Sequence, residues 1–352
     1  MHRFLVMIAL LALALPATAG VVEELYDAEA PYDGQDRRAA FSEALAQVVV
    51  RVTGDRASVR EPGVVELLAR PDGYVQQFRP GATGDTLWVS FDGQAVTNAL
   101  RAAGQPVWGE ERPSTLLWLA IDQGSGRRGV LGADPDQDDA VMAALRQRVE
   151  ETATARGLPL VLPLLDAQDR GALSFADLWG GFDEDIESAS RRYGTDAVLA
   201  GRISLAEADR GRWTLYSGSA PMRWVADAED SIQRTADHYA GIFAVSTAGA
   251  PSRSILVRVH GVEDVAGYAR VLAHLESLTV VQDVAVDRLE EDRVTLALAM
   301  AGSPASLDQA LALGNVLRPL DSDAAGPAPT TGPILPGGAG SAEPDREYRL
   351  LP

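Results

Sequence analysis

The chain predicts a mixed α/β and α+β fold of three small domains with a disordered tail, and three observations point there. Short, fully apolar runs alternate with amphipathic helical stretches over residues 113–250, the pattern of a sheet with parallel strands covered on both faces. The order β-α-β-β-α-β then follows, which is ferredoxin-like. Ahead of both, core-type helices mix with alternating half-apolar strands. The expected division is a signal peptide at 1–19, an N-terminal α+β domain at 20–112, a central domain at 113–250, a ferredoxin-like domain at 251–320 and a disordered tail at 321–352.

In the first domain, Arg37 to Val52 puts Ala40, Phe41, Ala44, Leu45, Val48, Val49 and Val52 on one helical face, and Thr53-Gly54 stops it with a residue suited to a left-handed cap. Val64 to Leu68 predicts a short helix, Tyr74 to Phe78 and Leu87 to Phe91 predict strands, and Gln94 to Ala103 predicts a helix ended by Gly104. In the second, Thr115 to Ile121, Leu160 to Leu165 and Ala197 to Ile203 are apolar runs. Helices at Val141 to Arg156, ended by Gly157, and at Asp183 to Tyr193, ended by Gly194, join them into β-α-β-α-β. Trp213 to Ser217 and Met222 to Ala226 predict an antiparallel extension, and Asp230 to Val245 a closing amphipathic helix. In the third, Ser254 to Val259, Val280 to Leu289, Arg293 to Ala299 and Leu317 to Leu320 are strands, with helices in Val262 to Leu278 and at Ser306 to Leu313. The Gly- and Pro-rich tail lacks the apolar content to order itself, although its Tyr348-Arg349-Leu350-Leu351 end could dock on a surface.

Met1-His2-Arg3, the apolar run Phe4 to Leu15 and the triplet ending at Ala19 read as a Sec-type signal peptide cleaved before Gly20, too short for the ~20 residues that span a bilayer. A periplasmic address follows, and without a Cys after the cut a bacterial lipid anchor is not expected. The whole chain has no Cys, and its 31 basic residues are all Arg. Disulfides, thiolate nucleophiles, lysine Schiff bases and Walker lysines are therefore unavailable. The mature chain carries 30 Arg against 50 Asp and Glu, a formal charge of −20, which argues against nucleic acid as a partner. No later run is long and apolar enough to predict a transmembrane segment.

Gly124-Ser125-Gly126-Arg127-Arg128-Gly129 matches the dinucleotide fingerprint, but the next helix starts about ten residues later instead of opening on the glycines, and nearby acids would repel phosphate. No cofactor is expected. Asp134, Asp136 and Asp138 imitate the start of a calcium loop and are candidate ligands, yet an EF-hand needs Gly and Glu where this chain has Asp139 and Leu145. Acids in the first turn of a helix, here and at Asp183, Glu184 and Asp185, stabilise it through its dipole. No Gly-x-Ser-x-Gly elbow and no metal-type His spacing occurs, and no catalytic residue is nominated. Among the tryptophans, Trp118 and Trp213 are expected in the core. Trp179, in the loop Trp179-Gly180-Gly181-Phe182 at a strand-to-helix connection, is the candidate partner surface.

Three stretches, Ala39 to Gly54, Leu87 to Pro113 and Tyr193 to Ile203, together resemble an uncharacterised family of exported gammaproteobacterial proteins, domain of unknown function 2066, over roughly Val21 to Pro319. The resemblance transfers no activity and no catalytic residue. The central block, with its Gly194 to Gly201 turn, is also similar in plan to small α/β domains of bacterial envelope assembly proteins, in which the domain mediates protein contacts without catalysis. Together these imply a soluble, non-enzymatic adaptor or assembly factor at the cell envelope whose partner is another envelope protein. The alternatives are a periplasmic carboxylate-dependent hydrolase, marked by a perturbed carboxylate pair in a cleft, and a small-ligand or calcium binder.

Overall fold

A computed structural model of the chain describes residues 20–351, without 23, 82–83, 138, 206–209, 219, 246–252, 291, 301–303, 314–315 and 321–343. The signal peptide expected at 1–19 lies outside the described residues, as do the junction at 250/251 and most of the tail.

The first unit runs β1 (Gly20–Val21), β2 (Asp27–Pro31), α1 (Arg37–Thr53), α2 (Pro62–Leu68), β3 (Val75–Pro80), β4 (Thr86–Phe91), α3 (Gly93–Ala102) and β5 (Glu111–Arg112). Its antiparallel sheet has the order β2-β4-β3, and α1 buries against it the face foreseen from Ala40, Phe41, Ala44, Leu45, Val48, Val49 and Val52. Asp36 caps the start of α1, and Gly54 ends it at φ 69°, its N–H bonded to the Val50 carbonyl at 2.9 Å. Two short pieces had no legible pattern: β1 pairs antiparallel with β5, Gly20 opposite Arg112.

The central unit comprises β6 (Thr115–Gly124), β7 (Arg127–Val130), α4 (Ala140–Arg156), β8 (Leu160–Val161), α5 (Ala167–Ala172), α6 (Phe175–Gly180), α7 (Asp183–Ser190), β9 (Ala197–Ser204), β10 (Gly211–Tyr216), β11 (Met222–Ala226) and α8 (Ala228–Phe243). Parallel β8 and β9 flank β6, and antiparallel β10 and β11 extend the sheet beyond β9. The nucleotide-like glycines turn a hairpin instead, with positive φ at Gly124, Ser125 and Gly126, and β7 runs back along β6. The run Leu160 to Leu165 gives only two strand residues. Pro163 has no N–H for a ladder, its carbonyl takes the Ala133 N–H at 2.7 Å, and Leu165 turns out at φ 51°.

One face of this sheet, with Leu117, Leu119, Ile121, Leu199, Trp213 and Leu215, packs under α4 and α8. The other, with Leu116, Trp118, Ala120, Val198 and Ala200, packs under α6 and α7. Trp118 and Trp213 are both 1% exposed, core residues as expected, and their indole N–H groups donate to Ser190 Oγ and the Ala226 carbonyl.

The third unit holds β12 (Arg253–His260), α9 (Val265–Ser277), β13 (Val281–Glu290), β14 (Arg293–Met300), α10 (Pro304–Leu313), β15 (Leu317–Pro319) and β16 (Arg346–Leu350). The β-α-β-β-α-β order is present, but the sheet reads β13-β14-β12-β16-β15, so a fifth strand lies between the first and fourth of the ferredoxin-like pattern. The expectation of disorder through the tail fails for Arg346–Leu350. Alternate residues of that segment face the helices, Tyr348 is 1% exposed within the core, and backbone pairing on both edges supplies what its composition lacks.

Arginines join the first two units. Arg112 is fully buried; its Nε donates to the Gly109 carbonyl at 2.9 Å, Nη1 to the carbonyls of Arg156 and Gly157 at 3.0 Å, and Nη2 to those of Arg51 and Trp108 at 2.8 and 3.1 Å. One guanidinium thus caps the C-terminal ends of α1 and α4, where a cation meets the negative end of each helix dipole. Burial, and next the Arg51 charge, push its pKa down to about 9, which leaves it charged at neutral pH. Arg156 reaches the other way, to the Gly54 carbonyl at 2.7 Å and Asp237 at 2.6 Å. Glu111 ties in the third unit through His274 at 3.2 Å and Ser277 at 2.8 Å.

Candidate functional site

Helices α6 and α7 cover the second face of the central sheet over β6 and β9, and β10 and β11 extend beyond them as an open ledge. Cross-strand register fixes what the ledge shows: Arg202, Arg212 and Val225 form one row across β9, β10 and β11, and Ala200, Thr214 and Arg223 the next. A hollow of about 270 Å³ opens there, bordered by Gly181 and Leu178 on the helix side.

Three arginines therefore share one patch of a strongly acidic chain. Arg202 Nη1 donates to the Trp179 carbonyl, Arg223 pairs with Asp183, and Arg212 has no hydrogen-bond or ion-pair partner among the described residues. Like charges directly opposite in a sheet are destabilising, so the Arg202–Arg212 pairing costs stability at this position. Asp183, at the start of α7, also accepts the Tyr216 hydroxyl at 2.6 Å; burial and that bond raise the Tyr216 pKa. The remaining acids of that first turn, Glu184 and Asp185, are exposed and offset the helix dipole as foreseen.

The candidate surface Trp179, Gly180, Gly181 and Phe182 borders this ledge, but not as a loop. Ser174 and Asp177 form a capping box that starts α6 at Phe175, and the helix runs through Trp179 to end on Gly181 at φ 73°. Trp179 is half-buried and stacks on Phe175 at 5.4 Å between ring centroids. Phe182, 55% exposed, carries the apolar surface, with Val225, 52% exposed, on the ledge itself. Sequence reasoning missed Arg202, Arg212 and Arg223; their common face depends on the β9-β10-β11 register, whose only trace was the predicted antiparallel extension.

Two of the three calcium-type candidates, Asp134 and Asp136, lie within the described residues. Asp134 accepts the Asp136 N–H at 3.0 Å, Asp139 caps α4 through the N–H groups of Val141 and Met142, and Asp138 lies outside the described residues. Among the described residues no group of three or more His, Asp or Glu side chains is placed to hold a metal ion. The carboxylates with a resolved shift are held low: Asp166 chiefly by Arg192, Asp177 by Ser174, Asp122 by the Gly124 N–H and Asp139 by the Met142 N–H. A larger open cleft, of about 920 Å³, separates β2 and α1 from α4. Its acids Glu24, Asp27, Glu29, Glu150 and Glu151 surround Arg51, which donates to backbone carbonyls of Glu24 and Asp27.

A family model described as a domain of unknown function (DUF8605) matches residues 19–109. The match is to an uncharacterised family, as the resemblance implied, but it carries neither the designation 2066 nor a gammaproteobacterial origin, and it reaches only the first unit. Comparison with curated proteins and with solved structures found no match. Among the described residues no helix is long and apolar enough to cross a membrane.

Proposed function

We propose that this chain is an exported, non-enzymatic adaptor of the cell envelope, and that its ledge docks an extended acidic segment of another envelope protein against β11. The observation that carries the reading is the Arg202–Arg212–Arg223 patch on an open sheet face beside the edge of β11, which is unpaired among the described residues. Such an edge accepts an added strand through backbone bonds, and the side chains over the face select its sequence. Acidic residues on one face of the added strand would meet Arg212 and Arg223, and an apolar residue would meet Val225. Export rests on the basic start, apolar run and small-residue cleavage triplet of residues 1–19. The β-α-β-α-β plan of the central unit supports an envelope role by likeness alone.

The test is a photo-crosslinking residue at Phe182, at Val225 or, as a control, at Arg234 on the exposed side of α8, introduced in the producing cell. The reading expects an acidic stretch of one envelope protein to be captured at Phe182 and Val225, not at Arg234, and to be lost when Arg212→Glu is added. Capture unchanged by Arg212→Glu, or none at either ledge position, would reject it.

A further inference from the structure

The ledge already holds one carboxylate. Asp183 opens α7, where the preceding residue Phe182 supplies no side-chain cap, and its side chain reaches the sheet. Oδ1 accepts the Tyr216 hydroxyl at 2.6 Å, and Oδ2 pairs with Arg223. Strand alternation puts both partners on the face that carries Arg212. Along β10 that face shows Arg212, Thr214 and Tyr216, and along β11 it shows Arg223 and Val225. Asp183 therefore fills the Tyr216–Arg223 corner of the ledge. The neighbouring Arg212–Val225 row has an exposed guanidinium with no ion-pair partner among the described residues.

The two positions match the repeat of a strand added along β11. Residues of such a strand that face the ledge are two apart, about 6.8 Å. One lies beside Val225, in the row of Arg212, and the next lies beside Arg223. An acid in the first position meets a guanidinium without a partner, with the Arg202 charge directly behind it. An acid in the second meets a guanidinium that Asp183 already neutralises.

The resident pair is one that a ligand can open. The Asp183 side chain is 42% exposed and that of Arg223 55%, and an ion pair so open to water contributes little of its own. Resting on the docking role proposed above, we infer that Asp183 is an internal competitor for the second carboxylate of the docked segment, and that it sets how much each acid of that segment counts. The acid beside Val225 is read directly by Arg212. The acid beside Arg223 adds affinity only as far as it displaces Asp183, and that displacement releases the start of α7 from β10 and β11.

The test is a fluorescence anisotropy titration of an extended peptide of alternating Glu and Val at about 0.15 M salt, where charges farther than ~8 Å apart are largely screened. Wild-type chain is compared with Asp183→Asn and Asp183→Ser, which remove the competing charge, and with Asp183→Glu, which keeps it. Glu184→Gln is the control, since it removes an exposed charge of the same helical turn that makes no ion pair with the ledge. Affinity should rise about three- to fivefold in Asp183→Asn and Asp183→Ser, the contribution of one exposed ion pair. It should stay near wild type in Asp183→Glu and Glu184→Gln, and the rise should be lost when Arg223→Ser is added to Asp183→Asn. Wild-type binding with no rise in either Asp183 variant, or an equal rise in Glu184→Gln, would overturn the competitor and leave the docking role standing. No binding by any of these chains would remove the docking role and the competitor with it.

Discussion

Replacing Arg112 with Met tests whether one buried guanidinium joins the N-terminal and central cores. The substitution keeps apolar length against the Trp108 ring, over which the guanidinium lies at 4.0 Å, and removes five donated bonds at once. Three of the acceptors, the carbonyls of Arg51, Arg156 and Gly157, lie at the ends of α1 and α4, which have no further turn of helix to bond them, and the other two are those of Trp108 and Gly109. Each buried acceptor left without a donor costs about 1–3 kcal/mol, but entering water can satisfy several of them. With water reaching part of the set, the carbonyls left dry give an expected loss of about 3–5 kcal/mol. That is a large share of a typical ~5–15 kcal/mol stability, and at about 2–4 °C per kcal/mol it lowers the melting temperature by roughly 6–20 °C. Calorimetry is the assay. The Arg112→Met transition should move down by that amount and lose cooperativity, the N-terminal unit melting first, while Arg112→Lys, which keeps the charge with three donors and no fork, falls between. A single transition within about 2 °C of wild type would refute the role assigned to Arg112.

Further outcomes follow from the same geometry. Gly54→Ala should destabilise by about 1–3 kcal/mol in denaturant titration, because a Cβ there would lie 2.3 Å from the Ala240 Cβ and the backbone sits at φ 69°; an unchanged midpoint would show that the α1 end does not pack on α8. Arg212→Glu should leave the melting temperature unchanged or slightly raised, since it replaces a repelling pair by an attracting one; a clear drop would mean that Arg212 supports the fold. Stability should fall as pH drops below about 4. Asp166, Asp177, Asp122 and Asp139 are held below their unfolded values, so the unfolded chain binds more protons there, and what these groups contribute above that range is lost as pH falls through their folded values. Asp166→Asn should flatten part of that acid limb in melts taken from pH 6 to pH 2, and an identical limb would remove Asp166 from the account.

Most of the architecture was legible because periodicity and capping agreed. The buried face of α1, the glycine ends of α1 and α4, and the apolar β6 and β9 all follow from side-chain spacing and left-handed caps, which are local properties. What escaped is non-local. Nothing in the neighbourhood of Arg112 marks it as fully buried, because its acceptors come from carbonyls far along the chain. The β16 segment is polar and isolated, and it becomes a strand only because β12 and β15 stand ready on both sides. At the candidate site the sequence singled out Trp179 to Phe182, which lie at the end of α6 beside the ledge. The arginines opposite became neighbours only once the β9-β10-β11 register was fixed.

The most direct measurement of the basic ledge is a fluorescence anisotropy titration with an extended peptide of alternating Glu and Val. Wild-type chain and the Arg202→Ser/Arg212→Ser/Arg223→Ser variant would be compared at low and high salt. The account predicts saturable binding that weakens steeply as salt screens the charges, and at least a tenfold loss in the variant with its melting temperature retained. Equal affinity in the two proteins, or no binding to either at low salt, would contradict it.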